Sequence, residues 1–181
     1  MKKTIFQTER LQCRLLDSAD GEALFAVYSD PEAMRWVGDG TPITPLQCEE
    51  WLKVTETNYE KRGYGMFALV DRATSEVVGF AGLVHPGGQA EVEVKYAFLK
   101  SHWGLGLASE AVPALLAFGA AEHGLDLVIA TVAPENRASL RVLEKAGMTY
   151  RERREHPDGE TLVYEWRKPH GENLEGERCP K

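Results

Sequence analysis

The chain has 181 residues, 43% of them apolar and 27% charged, which is enough for one domain to bury a core without disulfides or a structural metal, and too apolar for a disordered or fibrous chain. A formal charge of -7 argues against nonspecific nucleic-acid binding, which needs clustered cations to displace phosphate counterions. Cys13, Cys48 and Cys179 are odd in number and widely spaced, so they form neither a disulfide framework nor a zinc signature, and with no leader-like start or apolar span the reading expects a cytoplasmic protein with no membrane partner.

Thr8 to Leu16 reads as the first strand, closed by Asp17 or Ser18, either of which can cap a following helix. Ala23, Leu24, Val27 and Tyr28 recur at helical spacing, and Pro31 then opens a second short helix from a favoured first-turn position. A third helix is expected from Pro45 to Arg62, stopped by Gly63. "YGMFALVD" and "EVVGFAGLVH", split by "RATS", read as a strand hairpin. The clearest period-two strand follows, with Val92, Val94, Tyr96 and Phe98 alternating with Glu93, Lys95 and Ala97. A glycine-rich turn then enters an apolar helix ending at Gly124. After it come a buried strand "LDLVIATV", a helix "NRASLRVLEKAG" and two terminal strands, "MTYRERRE" and "ETLVYEWR". Residues 169–181 lose apolar side chains and read as a disordered tail, which leaves 1–168 as a single α/β domain. Arg151, Arg153 and Arg154 alternate with Glu152 and Glu155, the pattern of a solvated strand face.

The turn "WGLGLASEA" carries the chemistry. The first amides of a helix have no intrahelical partners and point outward with the positive end of the dipole, so such a terminus holds anions. Gly104 and Gly106 lack Cβ and let a phosphate approach the backbone, while Ala108 and Ser109 are small. The spacing completes neither the dinucleotide fingerprint nor a Walker-type loop, so the pyrophosphate of another ligand is the better match.

"AEVEVKYAFLKSHWGLGLASEA" followed by "IATVAPENRASLRVLEKAGM" resembles the GNAT superfamily of N-acetyltransferases, and within it the RimJ/RimL-type branch of ribosomal-protein N-terminal acetyltransferases. The resemblance implies an α/β (α+β) fold: a mixed, mostly antiparallel sheet of about six or seven strands with one splayed parallel pair, flanked by about four or five helices. It implies transfer of acetyl from acetyl-CoA to an amine, either a protein N-terminus or a small molecule, by direct attack in a ternary complex. The alternative from another class is a noncatalytic acyl-CoA-binding module.

Carried over to this chain, the family's turn falls on Trp103, Gly104, Leu105, Gly106, Leu107, Ala108 and Ser109, with Trp103 in place of the usual Gln or Arg. The strand from Val92 to Leu99 is expected to part from Leu127–Val132 at a bulge. The pantetheine arm would pair in the gap with the backbone of Tyr96, Ala97 and Phe98. Asn136 matches the family's pantetheine-contacting Asn and is equally placed to cap its own helix. Glu93 is the candidate base, against a reading as a plain polar strand residue, and Ser139 the candidate acid, against a serine bonded to its own helix. The family's frequent acidic Tyr is Leu143 here. Arg137 and Arg141 are either phosphate contacts or solvated helix cations. Trp36, Trp51, Tyr64 and Phe67 are divided between pocket and core. The histidines at 85, 102, 123, 156 and 170 form no ligand set, so no metal is expected, and the chain reads as a monomer or homodimer.

Overall fold

The computed structural model describes residues 3–38, 40–157 and 159–169. Apart from Pro169, the expected tail lies outside the described residues, as do Cys179 and His170. An eight-stranded sheet in the order β1-β2-β3-β4-β5-β6-β8-β7 forms the frame. Its strands are β1 (Thr4–Gln7), β2 (Leu11–Leu15), β3 (Met66–Asp71), β4 (Val77–Val84), β5 (Glu93–Phe98), β6 (Leu127–Val132), β7 (Thr149–His156) and β8 (Gly159–Arg167). All neighbours are antiparallel except β5 and β6.

The sheet has one strand more than the sequence reading anticipated. What read as a single strand from Thr8 to Leu16 is the second arm of a hairpin that begins at Thr4. The chain turns at Thr8, whose N–H reaches the Leu11 carbonyl at 2.8 Å. The "TIFQ" arm is too short to show a period, but Phe6 packs near Phe118 with ring centroids 6.3 Å apart. The β3–β4 turn is closed by Asp71, whose Oδ1 accepts the N–H of Ala73 at 2.7 Å and of Thr74 at 3.1 Å.

Among the described residues five helices cover the sheet: α1 (Gly21–Tyr28), α2 (Pro31–Met34), α3 (Pro45–Arg62), α4 (Leu107–His123) and α5 (Arg137–Lys145). None is long and apolar enough to cross a membrane. Local chemistry sets their ends. Asp17 and Asp20 form a capping box ahead of α1, Asp30 caps α2, Thr44 and Gln47 box α3, and Gly63, at φ 79°, ends it.

Period-two alternation sorts the side chains onto two faces. Val92 and Val94, with Val128, Ala130 and Val132, pack under Ala111, Val112, Leu115 and Leu116 of α4 and Leu140 and Leu143 of α5. Met66, Ala68 and Phe80 meet Leu24, Val27 and Tyr28 of α1 on the other face, with Cys48 of α3. Each fully buried Leu here contributes about 1.5–3 kcal/mol, which makes α4 the principal fastening of the central strands.

One close approach sets the position of β5. A Cβ on Gly79 of β4 would lie 2.6 Å from both the Ala97 carbonyl oxygen and the Phe98 ring, so the two strands fit only because position 79 has no side chain. Gly79→Ala should destabilise the fold by about 1–3 kcal/mol through overpacking, read as a lowered Tm in thermal unfolding.

Candidate active site at a parted strand pair

β5 and β6 pair only at Glu93 and Ile129, next to a bond from the Ile129 N–H to the Val92 carbonyl at 2.8 Å. Leu99 donates to the Val78 carbonyl at 2.9 Å, which fixes the phase of the β4–β5 ladder. Glu93, Lys95 and Ala97 therefore direct their main chain toward Val84, Gly82 and Phe80 of β4. Val94, Tyr96 and Phe98 direct theirs toward β6. Beyond the one pairing, the Val94 carbonyl, both main-chain groups of Tyr96 and the Phe98 N–H face a gap inside the sheet, with no strand partner among the described residues. This corrects the sequence expectation for Ala97, whose main-chain groups are committed to β4. Val94 takes its place.

The expected bulge is also absent, since the β4–β5 register runs unbroken from Glu93 to Phe98. A side chain parts the strands instead. The Thr131 N–H, which an extended ladder would give to a β5 carbonyl, goes to Glu93 Oε1 at 3.1 Å. The same oxygen accepts the Thr131 hydroxyl and pairs with the Lys95 ammonium. Glu93 Oε2 accepts Gln89 Nε2 at 3.3 Å, and Lys95 Nζ also reaches Thr131 Oγ1 at 3.0 Å. Glu93 is only 2% exposed. It sits on the face opposite Val92 and Val94, and its burial satisfies the rule that a buried charge must be paired.

Past β5 a 3₁₀ turn leads to Trp103, whose indole N–H donates to the Phe98 carbonyl at 2.8 Å. Gly104 and Gly106 adopt φ 74° and 78°, a left-handed region that glycine enters without steric penalty. Gly106 is the N-cap of α4, and the first helical bond runs from Glu110 N–H to the Gly106 carbonyl at 3.2 Å. The amides of Leu107, Ala108 and Ser109 precede it and have no intrahelical acceptor.

The turn is braced from outside. Arg10 donates through Nη1 to the Leu105 carbonyl at 2.8 Å and through Nε to Glu110 at 2.7 Å. Its own N–H meets Glu110 Oε1 at 2.8 Å, and the Thr8 hydroxyl bonds the same oxygen. Burial works to raise the Glu110 carboxyl, but the bonds from Thr8 and Arg10 outweigh it and hold the group below the usual carboxylate range. The acid in the first turn of α4 is thereby neutralised, which keeps that turn receptive to anions. Sequence reasoning missed Arg10 and Glu110, because no local pattern links residues 100 positions apart.

The start of α5 closes the gap from the α4 face. Asn136 Oδ1 accepts the Ser139 N–H at 3.1 Å, so Asn136 caps its helix. The Ser139 and Tyr96 hydroxyls lie 2.7 Å apart. Burial pushes the Tyr96 phenol up to about 12, with the Ser139 bond pulling the other way. Leu143 is buried core. Arg137 is exposed, and Arg141 bonds the Arg137 carbonyl at 3.3 Å. Arg151, Arg153 and Arg154 pair with Glu91, Glu160 and Glu152, as a solvated strand face does.

Tyr64 and Phe67 are core, Trp51 packs edge-on to Tyr28 at 4.6 Å, and the exposed Trp36 carries the Arg35 guanidinium 4.6 Å above its ring. A concavity of about 660 Å³ between α1 and α3, lined by Phe25, Cys48 and Leu52 among others, shares no residue with the gap. Among the described residues no group of His, Cys, Asp or Glu is placed to hold a metal ion.

Residues 10–149 match the family model described as an acetyltransferase (GNAT) domain. The chain is 31% identical over 170 residues to YkkB of Bacillus subtilis (strain 168), covering 92% of each protein. It is 31% identical to the N-acetyltransferase p20 of Bacillus licheniformis, covering 75% of this chain and 77% of that protein. Among solved structures, an acetyltransferase from Agrobacterium tumefaciens str. C58 superposes with a TM-score of 0.78 at 28% identity, over 93% of this chain and 96% of that one. RimL, the ribosomal L7/L12 α-N-protein acetyltransferase solved with coenzyme A, shares the fold at a TM-score of 0.78 and 16% identity, over 91% and 98% of the two chains. The match over residues 10–149, more than half of the chain, places it in the GNAT acetyltransferases, enzymes that draw their acetyl group from acetyl-CoA.

Proposed function

We propose that residues 1–168 act as one domain that acetylates a primary amine, a protein N-terminal α-amine or a small-molecule amine, by direct attack in a ternary complex. The open main-chain edge of Val94, Tyr96 and Phe98, continuous with the unpartnered amides at the start of α4, carries this reading. An extended amide-bearing arm can add to such an edge as a strand does. The amides from Leu105 to Ser109 grip the diphosphate, with Gly104 and Gly106 giving close approach. Trp103, tied to Phe98, holds the turn against β5, and Asn136 fixes the α5 start beside the arm. The buried free thiols Cys13 and Cys48 support a reducing, cytoplasmic setting, and the net charge of -7 favours a cationic acceptor through long-range steering.

Acetyl-CoA supplies a thioester carbonyl, and the chain must supply proton handling. An ammonium has no lone pair, so a base must take its proton, and Glu93 is the carboxylate at the vertex of the gap. On the leaving side, the Tyr96 phenol at about 12 gives up its proton less readily than a thiol of about 8.5. The Tyr96–Ser139 pair therefore stabilises the departing sulfur by hydrogen bonding and does not complete a proton transfer to it. Ser139→Ala should lower kcat by about 10- to 100-fold with little change in KM, as expected for a bond made to developing charge.

Ser109→Glu tests the diphosphate grip. Glu at the third helical position favours the helix itself, so the Tm should hold, while acetyl-CoA affinity in calorimetry should fall by roughly tenfold or more. Unchanged affinity would remove the turn from the site. Glu93→Gln preserves the shape and the acceptor for Thr131 but not the base. A fall in kcat of about 10²- to 10⁴-fold with a flattened acidic limb of the pH profile is expected, and a wild-type profile would retire Glu93 from proton transfer. Thiol release measured across peptides and small amines, with mass spectrometry of the product, identifies the acceptor. Binding without thiol release across a broad panel would favour the noncatalytic module, a reading that buried Leu143 in place of the family's tyrosine keeps open.

A further inference from the structure

Lys95 is a primary amine, the chemical class this enzyme acetylates, and the fold holds it at the vertex of the gap. It lies on β5 two residues beyond the last β6 pairing and on the same face as Glu93. Its Nζ bonds Thr131 Oγ1 on β6 at 3.0 Å while pairing with the Glu93 carboxylate on β5. The ammonium thus spans the two strands where they separate, in contact with the candidate base. Its side chain is 40% exposed while that of Glu93 is 3% exposed, so the lysine has room to change rotamer and the carboxylate does not. Lys100, just past the opposite end of β5, is committed to Glu32 on α2. Lys53, Lys61 and Lys145 lie on α3 and α5.

We infer that Lys95 is an internal acetyl acceptor: in the absence of an external amine, the enzyme acetylates its own Lys95 Nζ. The inference rests on the proposed placement of acetyl-CoA in the gap. The ammonium first gives one proton to the Glu93 carboxylate, and the freed lone pair then attacks the thioester carbonyl carbon. The N–C bond forms as the C–S bond breaks, and a second nitrogen-bound proton passes to the thiolate. The products are an acetamide on Lys95 and free coenzyme A thiol, and the Glu93 proton returns to solvent, so no oxidant or further reactant is needed. The neutral amide keeps one N–H and no longer forms an ion pair with Glu93.

The full chain is incubated with acetyl-CoA and no added amine, and its tryptic peptides are mapped by mass while calorimetry on the same sample records acetyl-CoA binding. Acetylation blocks cleavage after Lys95, so the expected product is the uncut peptide 73–100 carrying one acetyl group. It should accumulate at least about tenfold faster than acetylation of Lys53, Lys61 or Lys145, and about 10²-fold or more slower in Glu93→Gln. Lys95→Arg, which keeps the positive charge against Glu93, should release no thiol in this assay. Bound acetyl-CoA with Lys95 unmodified would overturn the inference and leave the site reading standing. Equal modification of Lys95 and the surface lysines would overturn it as well, by marking the reaction as uncatalysed. A chain that binds no acetyl-CoA would sink the site reading and this inference with it.

Discussion

The bond from the Thr131 N–H to the Glu93 carboxylate is the interaction on which the gap depends. A parallel ladder that continued past Ile129 would offer that N–H a main-chain carbonyl of β5. Supplying a side-chain oxygen instead satisfies the part-buried donor while allowing the strands to diverge. The Thr131 hydroxyl, Gln89 and Lys95 complete the shell around the carboxylate. A buried charge with so many donors is stiff, so the vertex is a fixed point from which β5 can lean away. The rest of the sheet tolerates this because β4 holds the other edge of β5 in unbroken register.

The second constraint lies at the far end of the gap. A helix start attracts anions only where its own first turn does not already provide one, and Glu110 is such a group. Arg10 neutralises it and bonds the Leu105 carbonyl with the same guanidinium. The glycine turn is thus shaped by its own positive φ angles and steadied by a hairpin from the opposite end of the chain. Vertex and turn lie at the two ends of β5, one strand that carries both the open main-chain edge and the buried carboxylate.

Much of this was legible in the sequence, because its signals are local. The alternation from Val92 to Phe98, the G-x-G turn at a helix start, the cap at Asp17, one of the two residues offered for it, and the stop at Gly63 each act within a few residues, and each appears where the pattern put it. Alternation tells which face a side chain takes, but not which neighbouring strand the main chain addresses. That phase is set by the register with β4, hence the misassignment of Ala97 and the omission of Val94. The absent bulge has the same origin, since a side chain that replaces a ladder bond leaves no mark on spacing. β1 was hidden by brevity, and the Arg10–Glu110 clamp by sequence distance.

The clamp also bears on where this chain can be shortened. Its opening residues look dispensable, being few and distant in sequence from the glycine turn, yet Thr8 and Arg10 hold the carboxylate and carbonyl that steady the start of α4. A version trimmed to begin after Arg10 would keep the vertex carboxylate but lose β1, with Ile5 and Phe6 stripped from the α4 side of the core. It would lose the brace on its glycine turn and leave Glu110 as an uncompensated negative charge in the first turn of α4.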